Sequence, residues 1–225
     1  MSASTTERLV VARQGLRARE ALLGVGLASA SGAAILVHTF GPLSMSFTVP
    51  FVALPTAVIL VGAVLVGRGR RDWLRVFSER VIAGGAAGLL ATLGYDAVRL
   101  GIKWAVPFDF DPFSAQYVFG GLMTGLPNGD SVARVAGWTY HFWNGITFGV
   151  MYAIVRPRGG WTTGLAWGLT LEALMLAAYP SFLQARLDDP GFMVTSVIGH
   201  ATWGLALGAS MRWWAGQRPR ELGIG

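Results

Sequence analysis

From Ala21 to Gly67 the chain carries no Asp, Glu, Lys or Arg. A bilayer core needs about 20 consecutive apolar residues per helix, and Pro42 and Pro50 bracket a break in the middle of this run. The stretch therefore predicts two spans, 21–40 and 51–67. Further candidates are 81–102, 135–155, 161–180 and 192–213. Composition agrees: charged residues make up 13% of the chain and hydrophobic ones 53%, against roughly 25% charged in an average soluble domain. The absence of cysteine excludes a disulfide scaffold or a thiolate metal centre. A secretory signal is the competing reading of the first span, because Arg8, Arg13, Arg17 and Arg19 precede it. The chain, however, turns straight back into a second apolar run with no small-residue cleavage site.

The basic residues set an orientation. Of the 18 Lys and Arg, all but Arg99, Lys103, Arg134 and Arg186 fall before the first span, between the second and third, after the fourth, or at the C-terminus. With six spans these segments share one side, which the positive-inside rule makes cytoplasmic. The other side collects Asp109, Asp111, Asp130, Asp188 and Asp189. The uncharged segment 113–129 would reverse everything downstream if it crossed. It is short and lies between Pro112 and the turn residues Pro127-Asn128-Gly129, so it reads as a re-entrant or interfacial helix near 113–126. The expected fold is an all-α polytopic bundle of six transmembrane helices, a single domain over 21–213. A basic segment 1–20 and a tail 214–225, both cytoplasmic, flank it. The net charge of +6 follows from this asymmetry, and nucleic acid is not an expected partner.

A four-residue repeat runs through the last four spans. Gly84, Gly88, Thr92 and Asp96 lie in one, and His141, Gly145 and Gly149 in the next. Gly164, Gly168 and Glu172 follow, then His200, Gly204 and Gly208. Residues four apart share a helix face, and small residues at that spacing let helix backbones approach where lipid gives no hydrophobic reason to associate. Gly145 and Gly204 are therefore expected to resist enlargement more than Gly24 in the first span. Spans of opposite direction carry their ionisable residue at opposite ends of the stripe. At about 1.5 Å per residue, this places Asp96, His141, Glu172 and His200 at one depth, roughly 10 Å below the outer helix ends. The expectation is one outward-facing pocket holding two carboxylates and two imidazoles, with Asn144 as a secondary polar contributor.

Each residue also has a local explanation. Asp96 pairs with Arg99 in the same helix, the histidines act as hydrogen-bonding packers, and Tyr95, Tyr140, Trp143, Tyr179 and Trp203 form an interfacial aromatic belt. Glu172 has no basic residue within a turn, and a lone carboxylate at mid-span is costly. His38 is out of phase with its own glycines and reads as interfacial.

Two His and two carboxylates suit Zn²⁺, Mn²⁺ or Fe²⁺, with Asp96, His141, Glu172 and His200 as the ligands. They fall short of the four Glu and two His of a dinuclear carboxylate site. They equally suit a proton relay inside a bundle. A haem on His141 and His200 is less favoured, because two carboxylates would sit beside it. No phosphate loop, dinucleotide fingerprint, nucleophile motif or His-Glu-x-x-His is present.

Ile102-Lys103-Trp104 with the Pro-containing stretch 107–112, His-x-x-Asn-Gly at 141–145 and Gly-His-x-x-Trp at 199–203 resemble segments of YagU-like inner-membrane proteins. The resemblance covers about 80–225, leaves Glu172 outside its motifs, and implies a bacterial inner-membrane location without a defined activity. Three function classes follow. The first is a membrane protein handling a cation, proton or small solute. The second is an embedded metalloenzyme acting on a lipid, isoprenoid or quinone. The third is a non-catalytic subunit of a membrane complex. Lipid is the expected surrounding partner, with a second copy or another membrane subunit as the protein partner.

Overall fold

A computed structural model describes residues 15–70, 73–106, 111–178, 189–219, 221–222 and 224. Arg8, Arg13, Arg71, Asp109, Tyr179, Arg186 and Asp188 lie outside them. The described residues form helices and no strand. We number the helices α1 (Ala18–Phe40), α2 (Met45–Gly67), α3 (Trp73–Ala105), α4 (Ser114–Thr124), α5 (Ser131–Val155), α6 (Trp161–Ala178) and α7 (Pro190–Gln217).

Four of these, α1, α2, α3 and α7, are long and apolar enough to cross a membrane. Helices α5 and α6, expected as spans, fall outside that set. Their hydropathy is diluted by the residues that carry the candidate site: Tyr140, His141 and Asn144 in α5, and Glu172 with paired threonines in α6. Helix α4 has 11 residues, about 16 Å at the α-helical rise, which is half the hydrocarbon thickness.

Helix α2 begins at Met45, so Pro50 does not break the chain as its sequence suggests. A π turn over Val49–Ala53 absorbs the proline within a continuous helix, and only Pro42 lies in the turn after α1. A wider turn relocates the backbone bond that proline cannot donate. Helix α2 lies at the periphery; Val58, Ile59, Val61 and Leu65 are exposed along it, as suits a face turned to lipid.

Helix α3 is the axis of the bundle, packed on α5 and α7 and flanked by α2. Its alanines Ala83, Ala87 and Ala91 are buried at these contacts. Helix α6 packs on α7, and α1 and α4 pack on α5. Asp130 caps α5 by accepting from Val132 N at 2.7 Å, and Asp189 caps α7 by accepting from Gly191 N at 2.8 Å.

The glycine stripes make the close contacts. A Cβ on Gly84 would stand 2.6 Å from the Gly149 carbonyl oxygen, and one on Gly88 would collide with the Gly145 carbonyl, so α3 and α5 meet backbone to backbone. Gly164 and Gly168 meet Gly204, Gly208 and the His200 carbonyl in the same way across α6 and α7. A third contact of this kind, Gly120 of α4 against Ala133 and Gly137 of α5, lies outside the four-residue repeat. Gly24 is bounded by side chains and not by backbone. Its Cβ would strike the Phe77 ring and stand 2.9 Å from Ile154 Cδ1, so it is confined as well. The open glycine of α1 is Gly26, with nothing within 4 Å.

Leu222 and Ile224 pack against the end of the bundle opposite the ionisable residues. Leu222 is buried. The buried Arg80 guanidinium donates to the Leu222 carbonyl at 3.0 Å and to the Ile154 carbonyl at 2.9 Å, and Arg158 donates to the Ile224 carbonyl. Of the tail 214–225, residues 214–217 end α7, and Leu222 and Ile224 dock against the bundle.

Candidate functional site

The stripes deliver the four ionisable residues as two pairs. On α3, Gly88 fits against Gly145, Thr92 fits against Gly145 one turn on, and Asp96 then meets His141. On α6, Gly168 fits against the His200 backbone, and Glu172 one turn on meets the His200 ring. Both units follow one plan, His-xxx-Gly-xxx-Gly on one helix facing a carboxylate helix that runs antiparallel. Thr92 stands where the second unit has Gly168.

In the first pair, His141 Nε2 lies 3.1 Å from both Asp96 oxygens. Arg99 Nη1 is farther from Asp96, at 3.8 Å, so Asp96 is not satisfied by its helix neighbour alone. In the second pair, His200 Nδ1 lies 2.8 Å from Glu172 Oε2 and 3.0 Å from the Ser196 carbonyl oxygen. One ring nitrogen has one proton to give, so these acceptors compete. The Glu172 contact meets the distance but not the angle of a hydrogen bond, and neither Glu172 oxygen receives a directed donor among the described residues. Glu172 is 3% exposed. Its nearest side-chain partners are the His200 ring and, on the same helix α7, Ser196.

Tyr95 links the pairs. Its ring centroid lies 5.8 Å from that of His141 and 5.1 Å from that of His200. Arg99, one turn on, places its guanidinium 4.6 Å from the Tyr95 centroid and 5.0 Å from that of Phe113, with Nε buried and unpartnered. Gly199 makes this possible: a Cβ there would lie 2.8 Å from Tyr95 Cε2 and 3.3 Å from Arg99 Cδ. Trp203 Nε1 donates to Thr92 Oγ1 at 3.1 Å, tying α7 to α3 below the cluster. The Gly-His-x-x-Trp sequence at 199–203 thus supplies clearance, a site residue and a tether in consecutive turns.

Several expectations change. Among the described residues no group of three His, Asp or Glu side chains gathers to hold a metal ion. The four proposed ligands of Zn²⁺, Mn²⁺ or Fe²⁺, Asp96, His141, Glu172 and His200, form two pairs because each glycine contact joins a carboxylate helix to its own histidine helix. Tyr95 stands against both imidazoles where a shared ion would have to gather them. Asn144 makes no hydrogen bond to either pair among the described residues, and its Oδ1 is buried without a partner. Trp203 and Tyr140 are 5% and 1% exposed, so they belong to the bundle interior and not to an interfacial belt. Tyr140 donates to the Ser31 carbonyl of α1, away from the pairs. His38 occupies the last turn of α1.

Sequence reasoning gave Tyr95 to the belt and Arg99 to a local ion pair. Their spacing of four, flanking Asp96, places both on the α3 face that meets α7 and was the available signal.

The site is not sealed. The side chains of Asp96, His141 and His200 are 15%, 17% and 16% exposed. No hydrogen bond engages His141 Nδ1 or His200 Nε2 among the described residues. An imidazole that presents one nitrogen to a carboxylate keeps the other to accept and release a proton. No family model, curated protein or solved structure matches this chain.

Proposed function

We propose that this is a six-span membrane protein that takes up and releases protons at the cluster of Asp96, His141, Tyr95, His200 and Glu172, reached from the side opposite its basic loops. The carrying observation is the pairing of two carboxylates with two imidazoles around one tyrosine, each imidazole with an unengaged nitrogen. Ionisable side chains inside a bundle are costly and mark proton or ion paths when they are mutually paired. Helices α5 and α6 complete the six spans, because α4 is too short to cross and the basic residues then share one side. Both termini are cytoplasmic in this arrangement. The YagU-like motifs at 141–145 and 199–203 coincide with the histidines of the two pairs, which favours a bacterial inner membrane.

The test uses proteoliposomes with an enclosed pH-sensitive dye. A potassium diffusion potential is imposed with valinomycin, and proton entry is compared with that of vesicles holding the Glu172→Gln and His141→Gln variants. The reading expects wild-type protein to pass protons faster than either folded variant. Equal rates in all three samples and in empty vesicles would reject it.

A further inference from the structure

We infer that the cluster holds a single excess proton, exchanged between His141 and His200, and that Arg99 sets this number. The inference rests on the proton-handling reading and counts its charge. Among the described residues, α3 brings Asp96, Arg99 and the neutral phenol of Tyr95 to the cluster, α5 brings His141, α6 brings Glu172 and α7 brings His200. Among the described residues the other buried ions, Glu20 on α1 and Arg80 on α3, lie at the opposite end of the bundle. With both imidazoles neutral, one guanidinium and two carboxylates leave one unbalanced negative charge. A low-dielectric site penalises net charge, so one imidazolium restores neutrality and a second would overshoot it.

Geometry offers that proton two seats, His141 Nε2 against Asp96 and His200 Nδ1 against Glu172 and the Ser196 carbonyl. Each histidine faces a carboxylate at the same step of the same glycine register, and Tyr95 contacts both rings. Arg99 is the asymmetric charge: its guanidinium lies 3.8 Å from Asp96 and over the ring shared by the pairs. No counterpart exists on α6, where the residue three beyond Glu172 is Met175. Arg99 touches no transferred proton and is a positioning residue that acts through the charge balance.

Histidine-labelled protein in lipid bilayers, read by nitrogen-15 solid-state resonance, distinguishes imidazolium from neutral imidazole ring by ring. At neutral pH the wild type is expected to show one imidazolium in total, divided between His141 and His200. Arg99→Gln should raise the total to two, and Asp96→Asn or Glu172→Gln should each lower it to zero. A wild-type total of zero or two, or a total unmoved by Glu172→Gln and Asp96→Asn, would overturn the inference; these two variants decide it if Arg99→Gln does not fold. The proton-handling reading fails separately, if neither histidine changes protonation between about pH 5 and 9.

Discussion

Gly168→Ala adds one methyl group at the contact that seats Glu172 against His200. That methyl would stand 3.0 Å from Gly204 Cα and closer still to the His200 carbonyl oxygen. Both are backbone atoms, so no rotamer change relieves the collision and the helices must separate. Overpacking of this kind costs about 1–3 kcal/mol. Alanine also favours helix over glycine by roughly 1 kcal/mol, so Gly26→Ala, made where nothing lies within 4 Å, supplies the reference. The difference between the two variants isolates the collision. Reversible unfolding in mixed micelles should place Gly168→Ala about 1–3 kcal/mol below Gly26→Ala. Separation of α6 from α7 should also alter the His200 resonance while leaving His141 less affected. Stabilities within about 0.5 kcal/mol of each other, the range of ordinary surface substitutions, would refute the claim that this backbone contact holds the second pair.

His200→Leu leaves Glu172 buried without its partner, a loss of about 3–5 kcal/mol, and adding Glu172→Gln should restore part of it; strictly additive losses in the same unfolding assay would argue against the pair. Arg80→Met removes the donor to the Leu222 and Ile154 carbonyls and should cost about 1–3 kcal/mol. It should also expose the C-terminal residues to carboxypeptidase, whereas unchanged protection would mean the tail is held otherwise. Reporter fusions at Arg158 and at the C-terminus should both read cytoplasmic; an external signal at either would mean that 114–124 crosses the bilayer or that α5 and α6 do not.

The helices were legible because apolar runs and the basic loops are one-dimensional signals. The glycine stripes were legible too, since spacing by four shows in the sequence. Which stripe meets which was not. Depth placed Asp96, His141, Glu172 and His200 at one level, but depth alone does not separate a common centre from two pairs. That choice lies in the antiparallel seating of Gly88 on Gly145 and of Gly168 on the His200 backbone. Gly24 reads as an ordinary small residue until Phe77 and Ile154 are seen to close over it. The Arg80 clamp on Leu222 joins residues far apart in the chain through main-chain carbonyls, which carry no side-chain pattern to read. Pro50 misled because a proline marks a break only where the backbone cannot widen, and the π turn at Val49–Ala53 widens it.

The most direct test of the central claim is sidedness. Protein reconstituted in one orientation is held with both aqueous phases buffered, and the pH of one phase is stepped while His141 and His200 are observed. Lowering the pH on the side opposite the basic loops should protonate the pair of imidazoles further, and the same step on the basic-loop side, where Arg80 holds the Leu222 carbonyl, should not. Histidines that follow only the basic-loop side, or neither side, would contradict an outward-open proton site.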